Sequence, residues 1–192
     1  LLSYVIMLAC RQKKQQQLQD DAQQEQLIDT INHFFHDITH EKNPLQKLAH
    51  KFLPTSLNHS KQQGFYIWGP SGIGKTLIMD CFYSCLDPDI RLRQHSVKFI
   101  QYIHQQLTKL QGHANPLSLI ANEIINKTRV LCLDEFQIIN VADLMLWRNL
   151  LQHLLQGNIH IIITSNNPPE ECYKGADKQQ QKLAPLAADL NS

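Results

Sequence analysis

Gly69-Pro70-Ser71-Gly72-Ile73-Gly74-Lys75-Thr76 sets three glycines, a lysine and a hydroxyl in one short run. It fits G-x-x-x-x-G-K-[ST] at every fixed position. These residue types in this order suit phosphate. Gly69, Gly72 and Gly74 allow backbone shapes that a Cβ forbids, and they let phosphate oxygens come close to the amides. Pro70 fixes φ and stiffens the loop, with Ser71 and Ile73 at the variable positions. Lys75 reaches the β- and γ-phosphates as a point charge. Thr76 offers its hydroxyl to Mg²⁺, a small octahedral ion that keeps several waters. The expected ligands are therefore ATP and Mg²⁺.

Two further stretches complete a site of this kind. Asp134-Glu135 follows directly on the apolar run Val130-Leu131-Cys132-Leu133. Asp134 is placed to hold Mg²⁺, directly or through water, and Glu135 to orient and deprotonate the attacking water. The plain alternative is an acidic strand end. Ile161-Ile162-Ile163-Thr164-Ser165-Asn166 is a buried strand that turns polar at its end. Asn166 there can hydrogen-bond the γ-phosphate or the lytic water, with Thr164 a lesser candidate. The alternative is that Asn166 only shapes the turn before Pro168-Pro169.

These residues need strands to hold them and helices to cover the strands. Gly64–Trp68 reads as a strand entering the loop, and Leu77–Leu86 as the helix leaving it. Asp87-Pro88-Asp89 ends that helix. A second strand is expected at Ser96–Ile100, with helices at Tyr102–Leu110 and Leu117–Ile125. Val130–Leu133 is a wholly apolar strand of the central parallel kind. Val141–Leu155 is a helix stopped by Gly157-Asn158, and Ile159–Thr164 is a strand. Strands alternating with helices make a three-layer α/β fold with a parallel sheet. In such sheets the carboxyl ends of the strands line the ligand crevice, which brings Gly69, Asp134 and Asn166 to one edge. We divide the chain into an N-terminal helical segment (1–60), a nucleotide-binding core (61–175) and a polar tail (176–192). Leu27, Ile28, Ile31, Phe34, Phe35 and Ile38 form a helical apolar stripe in the first part.

At 192 residues, one α/β domain with a sizeable core is affordable, and the net charge of +1 argues neither for nor against nucleic acid. The five cysteines form no C-x-x-C, and Cys81 and Cys132 fall inside core elements. That usage fits a reducing, cytoplasmic compartment. Leu1–Ala9 is apolar but too short to span a bilayer. His33, His36 and His40 share a helix face without a completing ligand, so we set metal binding there aside. Cys81 and Cys85, one turn apart, are set aside likewise.

Asp134-Glu135-Phe136-Gln137, followed by Ala142-Asp143, resembles the signature of the ZapE family of bacterial AAA+ ATPases and their mitochondrial AFG-like relatives. Gly64–Gly69, Leu77-Ile78-Met79-Asp80, Asn115-Pro116-Leu117 (with Asn where the family has Asp), Thr164-Ser165-Asn166 with Pro168, and Asp20-Asp21-Ala22-Gln23 resemble other family stretches. The resemblance covers roughly residues 20–175. It implies an AAA+-type P-loop fold and a ring-forming ATPase, hexameric, with ATP between subunits. It implies clients in the division ring or among membrane proteins, and no nucleic acid. It implies the cytoplasm, peripheral to the inner membrane, or the mitochondrion in a eukaryote. One departure is plain: 177–185 holds no arginine where the family has an arginine-bearing stretch. Arg148 matches a family arginine and can act in trans, or pair with Asp143. Against the family pattern, the chain stops before a fifth strand and the helical lid. That leaves a catalytically weak nucleotide-binding scaffold, or a helicase-loader-like ATPase, as the alternatives.

Overall fold

The computed structural model describes residues 63–172 together with Phe35 and Ile38. The chain runs β1 (Gly64–Trp68), α1 (Lys75–Cys85), a 3-10 turn (Pro88–Ile90), β2 (Arg91–His95), α2 (Ser96–Lys109) and α3 (Pro116–Lys127). It continues with β3 (Val130–Asp134), α4 (Val141–Gln156), β4 (His160–Ser165) and a 3-10 turn (Pro169–Glu171). The four strands form one parallel sheet in the order β1-β4-β3-β2.

Alternation along the strands sorts the core into two layers. Leu131, Leu133, Ile161 and Ile163 face one side, where α2, α3 and α4 cover them with Phe99, Ile103, Ile120, Leu150 and Leu154. Val130, Cys132 and Ile162 face the other, with Phe65, Ile67, Met79 and Phe82. Phe35 and Ile38, both helical and buried, also belong to this second cluster, and Phe35 meets the Phe82 ring edge-on at 6.0 Å. The sheet is thus sandwiched as a three-layer α/β fold. The rest of the N-terminal segment, including His33, His36, His40 and Asp20–Gln23, lies outside the described residues, as does the tail beyond 172. Among the described residues no helix is long and apolar enough to cross a membrane.

The second strand is not where its pattern placed it. Ser96–Ile100 opens α2, because Ser96, Phe99, Ile100 and Ile103 recur at helical spacing and are buried along one face. The strand is the preceding run Arg91-Leu92-Arg93-Gln94-His95, which has no apolar alternation. It takes its ladder from β3 and, among the described residues, has no partner on its other side, so polar side chains are tolerated there. Gly157-Asn158 stops α4 as expected, with Gly157 as the C-cap. Asn158, at φ 59°, takes the left-handed position after α4. A Cβ at Gly157 would stand 2.3 Å from Ile125 Cδ1, so any larger residue there would make that side chain shift.

Candidate active site

Strand pairing brings the carboxyl ends level. Ile67 pairs with Thr164 and Trp68 with Ser165, Leu133 with Ile163, and His95 with Asp134. The next residues outward are Gly69, Asn166, Glu135 and Ser96. The three sequence-derived parts, the Gly69 loop, Asp134-Glu135 and Asn166, therefore meet at one sheet edge, joined there by Ser96.

The phosphate loop links β1 to α1. Gly69, Gly72 and Gly74 have φ of 148°, 90° and 90°, a region where side chains are strained. Gly74 caps α1, no side chain takes the helix's first amides, and no acidic residue lies in its first turn. Those amides and the helix dipole favour an anion. Lys75 is buried and donates to Gly69 O at 2.6 Å and Pro70 O at 2.8 Å. Of its three ammonium donors, one is left for a phosphate. Burial lowers its pKa, while the Glu135 charge acts the opposite way. Ser71, Gly72, Ile73 and Thr76 are exposed, as is Pro70.

The acidic pair is held from both sides. Arg93, on β2, donates Nε to Asp134 Oδ2 at 2.6 Å and Nη2 to Oδ1 at 3.1 Å. Its Nη1 reaches Asp80 Oδ1, on α1, at 2.6 Å. Burial disfavours the charged guanidinium, but the hydrogen bonds and charges of Asp134 and Asp80 outweigh it, and its pKa is raised. Glu135 stands at φ 50° with its side chain open to solvent, its Oε2 3.1 Å from His95 Nε2.

The turn carrying Glu135 is pinned by four bonds. Ser96 Oγ donates to Glu135 O at 2.7 Å, and Glu135 N–H donates to Thr164 Oγ1 at 3.3 Å. Phe136 N–H donates to Thr164 O at 2.7 Å, and Ser165 Oγ to Phe136 O at 2.9 Å. Phe136 is itself buried, 4.9 Å edge-on from Trp147, which stacks on Phe99 at 5.7 Å. The aromatic residue after the acidic pair is thus the anchor that fixes the turn to the core. Gln137 is exposed.

Asn166 is exposed just past β4, and the following turn is held by Asn167 N–H to Ser165 Oγ and by Tyr66 OH to Asn167 O. Arg148 is half-buried on α4 and is not the partner of Asp143. Asp143 instead accepts from Asn140 Nδ2 and sits 2.7 Å from His104 Nε2, and its own N–H is capped by Asn140 Oδ1. Cys132 is buried against the sheet and its thiol is pushed up to about 12.

Thr76 and Asp134 offer hard oxygen donors, which fit Mg²⁺ better than a soft or imidazole-loving metal. Among the described residues no group of three or more His, Cys, Asp or Glu is arranged to hold an ion by itself. A site built from one carboxylate, one hydroxyl and substrate phosphates does not need such a group. Arg93, His95 and Ser96 escaped the sequence reading because it began the strand at Ser96. The available signal was the edge rule itself: whatever ends each parallel strand faces the crevice.

The model of the AFG1-like ATPase family matches residues 7–188. The chain belongs to that family. Among its relatives, the Cell division protein ZapE of Escherichia coli K12 is 38% identical over 130 residues, 68% of this chain and 35% of that protein. Lactation elevated protein 1 homolog B of Danio rerio is 33% identical over 149 residues, 72% of this chain and 28% of that protein. The chain spans about a third of the length of these curated relatives. Solved structures share the fold at low identity. A DNA replication initiation factor superposes with TM-score 0.58 at 13% identity, over 91% of this chain and 45% of that one. The DnaC helicase loader gives 0.54 at 16%, over 91% and 86%. These likenesses speak to the fold, which is the AAA+ P-loop type.

Proposed function

We propose that this chain binds ATP with Mg²⁺ at the carboxyl edge of its sheet and hydrolyses it. The observation that carries this is the convergence of the Lys75 loop, Asp134-Glu135 and Asn166 on one edge, in a chain of an ATPase family. In this reading the glycine loop and the first amides of α1 bind the β- and γ-phosphates, and Lys75 adds charge. Mg²⁺, held by Thr76 and Asp134, supplies neutralisation of the phosphate charge. Glu135, standing clear of its turn, takes the proton of the attacking water. Asn166 orients that water or the γ-phosphate.

The working form in this reading is a ring of subunits, six by family resemblance, in the cytoplasm of a bacterium or in a mitochondrion. The name of the E. coli relative supports a role in cell division. Binding of a fluorescent ATP analogue and phosphate release test the chemistry. Lys75→Ala should abolish binding, and Glu135→Gln should keep binding and stop release. Binding that survives Lys75→Ala would sink the proposal. Binding without any phosphate release by the unmodified chain would favour the scaffold alternative.

A further inference from the structure

Arg93 sits between two carboxylates of unequal claim. Its fork takes both oxygens of Asp134, at 2.6 and 3.1 Å, while a single nitrogen touches Asp80, at 2.6 Å. Arg93 and Asp134 side chains are each 21% exposed, against 37% for Asp80. The Tyr83 ring lies 5.9 Å from the guanidinium carbon. Asp80 stands on α1, the helix that carries Lys75 and Thr76, so the arginine ties the phosphate-loop helix to the acidic strand end.

This arrangement occupies the carboxylate assigned to the metal. A guanidinium in fork geometry neutralises Asp134 and takes a lone pair on each oxygen. It cannot step aside by losing a proton. It can step aside only by moving, and a largely buried cation moves at least cost where another carboxylate receives it. Asp80, held by one bond, has a second oxygen to offer.

Resting on the reading that Asp134 serves Mg²⁺, we propose that Arg93 is a positioning residue that shifts from Asp134 to Asp80 as the metal is taken up, and so sets the Mg²⁺ concentration the site requires. Arg93 keeps the strand-end carboxylate paired until the ion arrives. Asp80 is the second station that makes the exchange affordable.

The two ends of the exchange predict opposite shifts. Methylanthraniloyl-ADP fluorescence on the whole chain, titrated with MgCl₂, reads the Mg²⁺ concentration at half-maximal binding. Arg93→Gln frees Asp134 and should lower that concentration roughly tenfold, the lower end of what groups beside a metal ligand contribute. Asp80→Asn removes the second station and should raise it, by roughly threefold, the scale of one part-exposed charge pair. A purely structural arginine would move both variants in the same direction. Far-UV circular dichroism reports folding, and if Arg93→Gln does not fold, Arg93→Lys is read in its place. Lysine keeps the charge but loses the fork, so it should lower the requirement by less. Unshifted or same-direction requirements, with binding intact, overturn the inference alone. An unmodified chain that never binds the analogue at saturating MgCl₂ refutes the ATPase reading and this inference with it.

Discussion

Ser96→Ala isolates the turn beneath Glu135. The Ser96 side chain is fully buried, and its hydroxyl donates to Glu135 O at 2.7 Å. Alanine is nearly the same size, so the cavity is negligible and the change is one hydrogen bond. A buried acceptor left without its donor costs about 1–3 kcal/mol, and we take about 1.5 kcal/mol because this bond is only part-buried. Glu135 is also held at φ 50°, a conformation that costs a residue with a Cβ about 1–2 kcal/mol. The lost bond is therefore of the same size as the strain it helps to hold. In a chain of this length, such a loss should lower the thermal midpoint by roughly 3–6 °C. If the whole loss falls on the turn, about 1.4 kcal/mol shifts the ratio of placed to relaxed Glu135 tenfold. Phosphate release should then fall by roughly twofold to tenfold, depending on how strongly the placed turn was favoured, while binding of a fluorescent ATP analogue stays put, because the phosphate loop is untouched. Differential scanning fluorimetry and a phosphate-release assay measure the two effects. A midpoint unmoved within about 1 °C would refute the hydrogen-bond argument. An equal loss of binding and release would show that the damage spreads through the fold and not through the turn.

Trp147→Ala should cost about 3–5 kcal/mol, read as a drop in the urea midpoint, because the ring is completely buried between Phe99 and Phe136. Asn166→Ala should leave stability within about 0.5 kcal/mol, since the side chain is exposed, while phosphate release falls and analogue binding holds. Cys132 carries a thiol pushed up to about 12 by burial, so it stays protonated through the neutral and mildly alkaline range and deprotonates only as pH nears that value. Iodoacetamide at mildly alkaline pH should leave Cys132 unlabelled in the folded chain and label it in urea, as mass spectrometry will show; labelling of the folded chain counts against its burial.

The phosphate loop and the acidic pair were legible because their chemistry demands particular residues at fixed spacing. Gly64–Trp68 was legible as a strand because aromatic and β-branched residues crowd it, and its bounds match those observed. The apolar runs at Val130 and Ile161 were equally plain, off by a residue at one or both ends. What stayed hidden depended on tertiary pairing. β2 is a strand because β3 lends it a ladder, not because Arg91-Leu92-Arg93-Gln94-His95 carries a strand pattern. Ser96 lies where two readings overlap, since an apolar run of its length suits a strand or a helix until the spacing of Phe99, Ile100 and Ile103 is weighed. The arginine clasp on Asp134 joins residues 41 apart in sequence, a distance at which no local pattern speaks.

β2 is the thinnest part of the sheet and yet holds the acidic pair: Arg93 on Asp134, His95 beside Glu135, and Ser96 just beyond it. None of its five residues is fully buried, whereas every residue of β4 is. Segments with few buried contacts open at a lower free energy than the core they join. The order of Asp134 and Glu135 is thus tied to the opening of β2, an edge strand among the described residues, and not to the unfolding of the domain. Anything that grips or loosens that strand would tune the chemistry at the opposite end of its hydrogen bonds, with the phosphate loop and the hydrophobic layers left as they are.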